Sequence, residues 1–190
     1  MPIASQNRQL NKIQFSLPSS PPLTQWNDID ESTFCNATTL QGQDCTHQLC
    51  ACVHVVSVAT GQLVEMVFVN EGMGELTGVH PVHLHGYSFR VVAMGLINSN
   101  ATVYDVEAMD NAGEITRRTK FAPLKDTVIV PPSGYTIVRF KADNPGVWML
   151  HCHFEFHVVE GMALLLKVGQ PEEWARAPEG FPKCGHWNIQ

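Results

Sequence analysis

Residues 151–157 read His-Cys-His-Phe-Glu-Phe-His, and Met162 follows five positions after the last histidine. The run before them, Gly146-Val147-Trp148-Met149-Leu150, has the character of a buried β-strand. Strand side chains alternate between faces, so His151 and His153 are expected on one face and Cys152 on the other. That single strand would then serve two metal sites on opposite sides of itself. A thiolate with two imidazoles and a weak axial thioether is the donor set of a blue-copper electron-transfer site. Cys152, His157 and Met162 supply three of those four donors, so one histidine has to come from elsewhere in the chain.

The other source is His80-Pro81-Val82-His83-Leu84-His85, which lies between the apolar runs Leu63–Val69 and Phe89–Met94. His83 and His85 share parity and project together in an extended segment, whereas His80 falls on the other side of Pro81. His80 is therefore expected to complete the copper set, and His83 and His85 to join His151 and His153 in a second group. The stretches HPVHLHGY and HCHFEFHVVEGM resemble the two copper motifs of the last cupredoxin domain of multicopper oxidases, most closely the laccases. The Gly86-Tyr87 pair and Met162 are similar to the arthropod branch rather than the fungal one. Matching segments extend from Phe15-Ser16-Leu17-Pro18 to Phe181-Pro182-Lys183-Cys184-Gly185.

The resemblance implies an all-β, cupredoxin-like Greek-key sandwich with an irregular N-terminal extension. It implies a type 1 copper held by His80, Cys152, His157 and Met162. His83 would then ligate the type 2 copper, and His85, His151 and His153 the type 3 pair. Cys152 and His157 would be the catalytic residues, with His157 as the entry point for electrons from phenolic substrates and dioxygen as the final acceptor. Axial Met should hold the potential below that of family members with Leu or Phe at this position. The family's three-copper cluster takes eight histidines, four of them from HWH-type and HSH-type motifs of an N-terminal cupredoxin domain. The only HxH patterns here are 83–85 and 151–153. The chain is accordingly expected to be the C-terminal third of a laccase, dependent on missing N-terminal cupredoxin domains and inactive alone. The alternatives are a stand-alone blue-copper electron-transfer protein and an inert copper-binding fragment.

Other histidine-rich patterns fit less well. The HxHxDH pattern of binuclear zinc hydrolases needs its last histidine one position before His157. A cupin would follow HxH with a carboxylate, where residues 86–90 are Gly-Tyr-Ser-Phe-Arg. Met162 in an apolar run also suits plain core packing, and Glu155 reads as an exposed loop carboxylate. His47, His54 and His186 carry no ligand spacing and read as core or surface residues.

With 190 residues, 16% charged, and a formal charge of −6, the chain is expected to be one domain, or one domain with a long appendage, and its charge argues against a nucleic-acid partner. No apolar run is long enough to span a membrane. The N-terminus shows no signal-peptide h-region, yet Asn36-Ala37-Thr38 and Asn100-Ala101-Thr102 are glycosylation sequons, which fit a secreted protein. Cys35, Cys45, Cys50 and Cys52 crowd into a loop-like stretch, where disulfides are favoured over a zinc knuckle because Cys50-x-Cys52 is one residue short. With Cys184 the cysteines outside the copper motif number five, so one thiol stays free or pairs beyond this chain.

Residues 1–60 read as an irregular, disulfide-stapled start with a short strand around Ile13–Leu17. Residues 61–170 form the copper-binding core and 171–190 a tail. Strands are expected at 63–69, 88–94, 127–131, 135–141, 146–153 and 162–168, separated by turn residues such as Asp143-Asn144-Pro145-Gly146. In the segment 135–141, Tyr135 and Ile137 face one way and Val138 and Phe140 the other, a β-sandwich pattern. No helix of consequence is expected, and the charged stretch 105–126 is left without an assignment.

Overall fold

A computed structural model describes residues 2–4, 9–71, 78–97 and 102–184. In chain order the strands are β1 (Pro2–Ala4), β2 (Gln9–Leu10), β3 (Gln14–Phe15), β4 (Phe34–Cys35), β5 (Ala51–Val58), β6 (Leu63–Asn70) and β7 (His80–Leu84). They continue as β8 (Phe89–Leu96), β9 (Leu124–Lys125), β10 (Thr127–Val130), β11 (Gly134–Lys141), β12 (Gly146–Cys152) and β13 (Ala163–Val168). Two helices complete the set, α1 (Val103–Asn111) and α2 (Glu155–Val159).

The strands form two sheets. One has the order β2-β1-β6-β11-β8-β9, the other β10-β7-β12-β13-β5-β3 with β4 beside β5. From β5 to β12 the chain passes repeatedly between them, so neighbours in sequence lie in opposite layers except β8 and β9, which pair with each other in the first sheet. The alternation of apolar side chains explains the layering. Even-numbered residues of β12 and β13 (Leu150, Cys152, Leu164, Leu166, Val168) turn inward and pack with Val82, Leu84, Phe68, Val138 and Phe140 between the sheets.

The outward faces also carry apolar cover. On the second sheet, Val53, Val55, Val147 and Leu165 pack against Phe15 and Trp174. On the first, Tyr135 and Ile137 meet Val106 of α1 and Ile115. The expected split of 135–141 therefore sends its two faces into two different apolar clusters.

Two expectations need correction. The stretch left unassigned contains α1, a nine-residue helix. The Thr102 side chain accepts the Asp105 amide and the Asp105 carboxylate accepts the Thr102 amide, a reciprocal cap that fixes where it starts. Gly113, at φ +74°, lies just past its end. Within the stretch expected to be irregular, Ala51–Val58 is an eight-residue strand that pairs in parallel with β13 and so lies inside the second sheet. The cysteine cluster forms two disulfides, Cys35–Cys52 and Cys45–Cys50, leaving exposed Cys184 outside them. No helix among the described residues is long and apolar enough to cross a membrane.

Candidate metal centre

The site is built by three neighbouring strands. β7 lies between β10 and β12, and the register places Thr127, His83, His151 and Ala163 in one cross-strand row. The next row is Val128, Val82 and Cys152. Because side chains directly opposite each other share a face, the first row puts its histidines on the outer face and the second puts Cys152 in the core. His80, two residues from Val82, follows the inward parity and is buried.

Inside the sandwich, Cys152 Sγ lies 3.7 Å from His80 Nδ1 and 3.4 Å from His157 Nδ1. Among the described residues this is the one grouping of three or more His, Cys, Asp or Glu whose ligand atoms all lie within 4.8 Å of one another. A metal with imidazole bonds of about 2.0–2.1 Å and a thiolate bond of about 2.3 Å would separate sulfur from nitrogen by roughly 3.5–3.8 Å at trigonal to tetrahedral angles. The donor set and its spacing therefore fit a small, soft-ligand metal ion.

The loop after Cys152 closes back on the same point. α2 carries His157, the His157 carbonyl accepts from the Met162 amide at 2.9 Å, and the Met162 carbonyl accepts from the Cys152 amide at 3.0 Å. Met162 thus lies beside Cys152 and is fully buried in the same apolar cluster. Gly161 permits the turn at φ +104°, where a Cβ would press on the Phe15 backbone.

On the outer face the arrangement differs. His83 and His85 rings are 4.9 Å apart, His85 and His151 5.1 Å, His151 and His153 5.6 Å, and His83 and His153 5.7 Å. Two of these imidazoles have their tautomer set by the backbone. His83 Nδ1 lies 2.9 Å from the Asp126 carbonyl and His151 Nδ1 2.9 Å from the Cys152 carbonyl. A carbonyl oxygen only accepts, so both Nδ1 atoms carry the proton and both Nε2 atoms keep the lone pair. His85 Nε2 and His151 Nε2 approach to 3.0 Å. Burial pushes the pKa of His85 and of His151 down, and neighbouring imidazoles push it further, so both favour the neutral form that binds metals.

Supporting residues absent from the motifs now have a place. Thr127 and the Asp126 carbonyl orient His83 from 44 and 43 positions away. Gly86, at φ +71°, turns the chain after His85 directly above Trp148, and the Gly86 carbonyl accepts from Asn144 Nδ2. The Tyr87 hydroxyl and the Trp148 indole both donate to the Asn144 carbonyl. The turn signal Asp143-Asn144-Pro145-Gly146 is legible in the sequence, but its role as the brace of the histidine loop is not.

The histidines without ligand spacing separate from the site. His47 is exposed beside Asp44, with Nδ1 2.7 Å from a carboxylate oxygen. His54 is fully buried on β5, with no hydrogen-bond partner among the described residues on either ring nitrogen, and burial pushes its pKa down to about 4. His186 and Asn100 lie outside the described residues. Glu155 is exposed, in the first turn of α2.

A family model described as multicopper oxidase matches residues 17–172. The chain is 41% identical to a putative laccase-9 and 37% identical to laccase-21 of Oryza sativa subsp. japonica, each over 128 residues that make 65% of this chain and 20% of the relative. It is 35% identical over 127 residues to the L-ascorbate oxidase of Cucurbita maxima, covering 66% of this chain and 20% of that protein. The solved structure of Fet3p, a multicopper oxidase that functions in iron import, superimposes with a TM-score of 0.50 at 26% identity over 84% of this chain and 27% of that one. The chain therefore spans about a fifth of the length of these laccase and ascorbate oxidase relatives.

Proposed function

The chain belongs to the multicopper oxidase family, which implies copper, and from that premise we propose that it is the C-terminal domain of a laccase-like enzyme. Its fold is the cupredoxin-type sandwich of that family. The reaction would oxidise phenolic substrates one electron at a time and reduce dioxygen to water. Two diphenols would give up four electrons and four protons to one dioxygen, yielding two quinones and two waters.

The observation that carries this reading is the placement of the Cys152 thiol within 3.4 and 3.7 Å of two imidazoles, with His151 and His153 on either side of it in sequence. Copper held by His80, Cys152, His157 and Met162 would supply reversible one-electron exchange, and copper at the outer histidines the reduction of dioxygen. His157 is half-buried, the exposed Phe154 ring lies edge-on to it at 5.3 Å, and Phe156 and Val159 are exposed on the same short helical segment. Exposed apolar side chains next to this imidazole would favour an aromatic donor there. From Cys152 two short routes lead outward. One is the peptide bond to His153; the other is the Cys152 carbonyl, which accepts the His151 Nδ1 proton at 2.9 Å.

In this proposal His83 serves the type 2 copper and His85, His151 and His153 the type 3 pair. Four further imidazoles come from N-terminal cupredoxin domains outside this chain. Two disulfides in the 35–52 stretch and the sequon at Asn36 support a secreted, glycosylated enzyme. A chimera with this chain in place of the C-terminal domain of a laccase is expected to consume one dioxygen per two hydroquinones, while the 190-residue chain alone gives no sustained uptake. Many turnovers by the isolated chain, or an inert chimera that holds its full complement of copper, would count against the reading.

A further inference from the structure

The first sheet is left open along part of β8. β9 pairs with β8 only at Phe89 and Arg90, and beyond them the segment 118–123 takes over. The Val91 amide donates to the Pro123 carbonyl at 3.0 Å, and the Arg118 amide to the Val92 carbonyl at 2.8 Å. Arg90 Nη1 donates to the Ala122 carbonyl at 2.9 Å. Between these anchors the chain turns outward and leaves Phe121 fully exposed, at φ +57°. A bulky aromatic seldom adopts left-handed backbone, and this ring gains nothing from burial, so folding gives no reason for it. Across residues 93–96, β8 pairs with β11 on one side and has no strand among the described residues on the other.

A groove of 750 Å³ borders this open edge. Met94, Phe121 and Tyr135 line it together with Arg118 and Lys120, and among the described residues its lining includes no carboxylate. Arg117, their neighbour, is held by Glu65 and Asp110, whereas Arg118 and Lys120 form no ion pair with a described residue. In a chain of formal charge −6 this is a local excess of unpaired positive charge, complementary to an acidic ligand.

We propose that the edge of β8 at residues 93–96 receives an extended acidic peptide of a partner protein, added to the first sheet as one more strand. An unpaired edge is a template for such addition, in which backbone pairing gives affinity and side-chain pockets give selectivity. Successive side chains of the added strand point to opposite faces. Acidic residues at every second position would meet Arg118 and Lys120. The apolar residues between them would cover Met94 and Leu96, which share one face of β8 and are exposed. Phe121 would gain the burial it lacks in the free chain. β8 lies in the sheet opposite β7 and β12, so this contact leaves the histidine face to the N-terminal domains.

The test titrates the 190-residue chain into a dye-labelled peptide of alternating glutamate and valine, about eight residues long, and reads fluorescence anisotropy. Binding should saturate at one peptide per chain and weaken about tenfold or more between roughly 0.05 M and 0.5 M salt. Exchanging the glutamates for lysines, or methylating every backbone nitrogen of the peptide, should abolish it. Arg118→Glu combined with Lys120→Glu should weaken binding at least about tenfold. Phe121→Gly should weaken it by roughly tenfold. The same variant should keep the parent's midpoint in urea melts, because the ring is unpacked and glycine relaxes the left-handed backbone. No saturable binding, equal binding of the lysine or N-methylated peptide, or undiminished binding to both variants would overturn the proposal. So would a chain that sediments as a dimer and that Phe121→Gly disperses, since the occupant would then be a second copy. None of these readouts involves copper, so they stand or fall apart from the oxidase reading.

Discussion

His80, Cys152 and His157 are gathered inside the sandwich, whereas His83, His85, His151 and His153 belong to the outer face of the same sheet, two of them immediate chain neighbours of Cys152. The inner group is held by the core and by the backbone: Leu84, Leu150 and Met162 share the apolar cluster of Cys152, and two backbone hydrogen bonds close the 152–162 loop. Its donors stand at metal-binding separations, 3.4 and 3.7 Å from sulfur to nitrogen. The outer group is fixed from one side only, by the Asp126 and Cys152 carbonyls and by the brace under Gly86. The contrast shows how one strand can serve two kinds of site. The pleat decides which side chains go in, and burial decides which set is preorganised without a partner.

The largest effect is expected from Cys152→Ser. It removes the thiolate, so a Cu(II)-loaded chain should lose its visible charge-transfer absorption altogether while the outer face keeps its weak copper uptake. Residual blue colour in that variant would mean that the thiolate is not the ligand. Gly86→Ala is aimed at the opposite side of the strand. A Cβ there would stand 2.6 Å from Trp148 Cζ3 at a φ of +71°, so we expect roughly 1–3 kcal/mol of destabilisation. It should displace His85 and lower outer-face metal affinity while leaving the blue colour in place; denaturant melts and metal titrations of the same sample would separate the two.

Met162→Leu is a finer probe of the interior. It removes a weak donor that favours oxidised copper, so the reduction potential should rise with the colour preserved. An unchanged or lowered potential would assign Met162 to packing alone.

The smallest effect concerns His54, buried on β5 and pushed down to about 4 by burial. Its folded pKa lies below the ordinary value of 6.5, so as pH falls the unfolded chain takes up the proton first. Stability from neutral His54 is full above pH ~6.5, falls through the window down to pH ~4, and changes no further below it. Between pH 7 and pH 4.5 the loss should amount to about 2 kcal/mol. His54→Leu should flatten that slope relative to the parent chain in urea melts; equal slopes would show that the ring finds a proton partner in the fold.

Much of this arrangement is written in the sequence as alternation. Strands such as Leu63–Asn70 and Gly146–Cys152 are legible because one or both faces are apolar and turn residues bound them. Parity alone separates His80 from His83 and His85, and Cys152 from its flanking histidines. What stayed hidden depends on contacts between distant residues. Neither the Cys35–Cys52 and Cys45–Cys50 pairing nor the hold of Asp126 on His83 has a local signature. β5 was obscured by the polar, cysteine-rich loop that leads into it, although Val53, Val55, Val56 and Val58 are good strand formers. α1 did leave a signal, Thr102-x-x-Asp105 with Gly113 at the far end, but Val103, Tyr104 and Asp105 are weak helix formers and masked it.

The most direct test of the two-sided strand is a titration of Cu(II) into the metal-free chain, followed by visible absorption and by retention against a mild chelator. The charge-transfer band should saturate at one copper per chain and survive the chelator, while further copper binds without colour and is stripped away. A chain that takes up copper with no intense band, or whose band grows in proportion to copper beyond the first equivalent, would contradict a closed thiolate site within the sandwich and an open histidine face outside it.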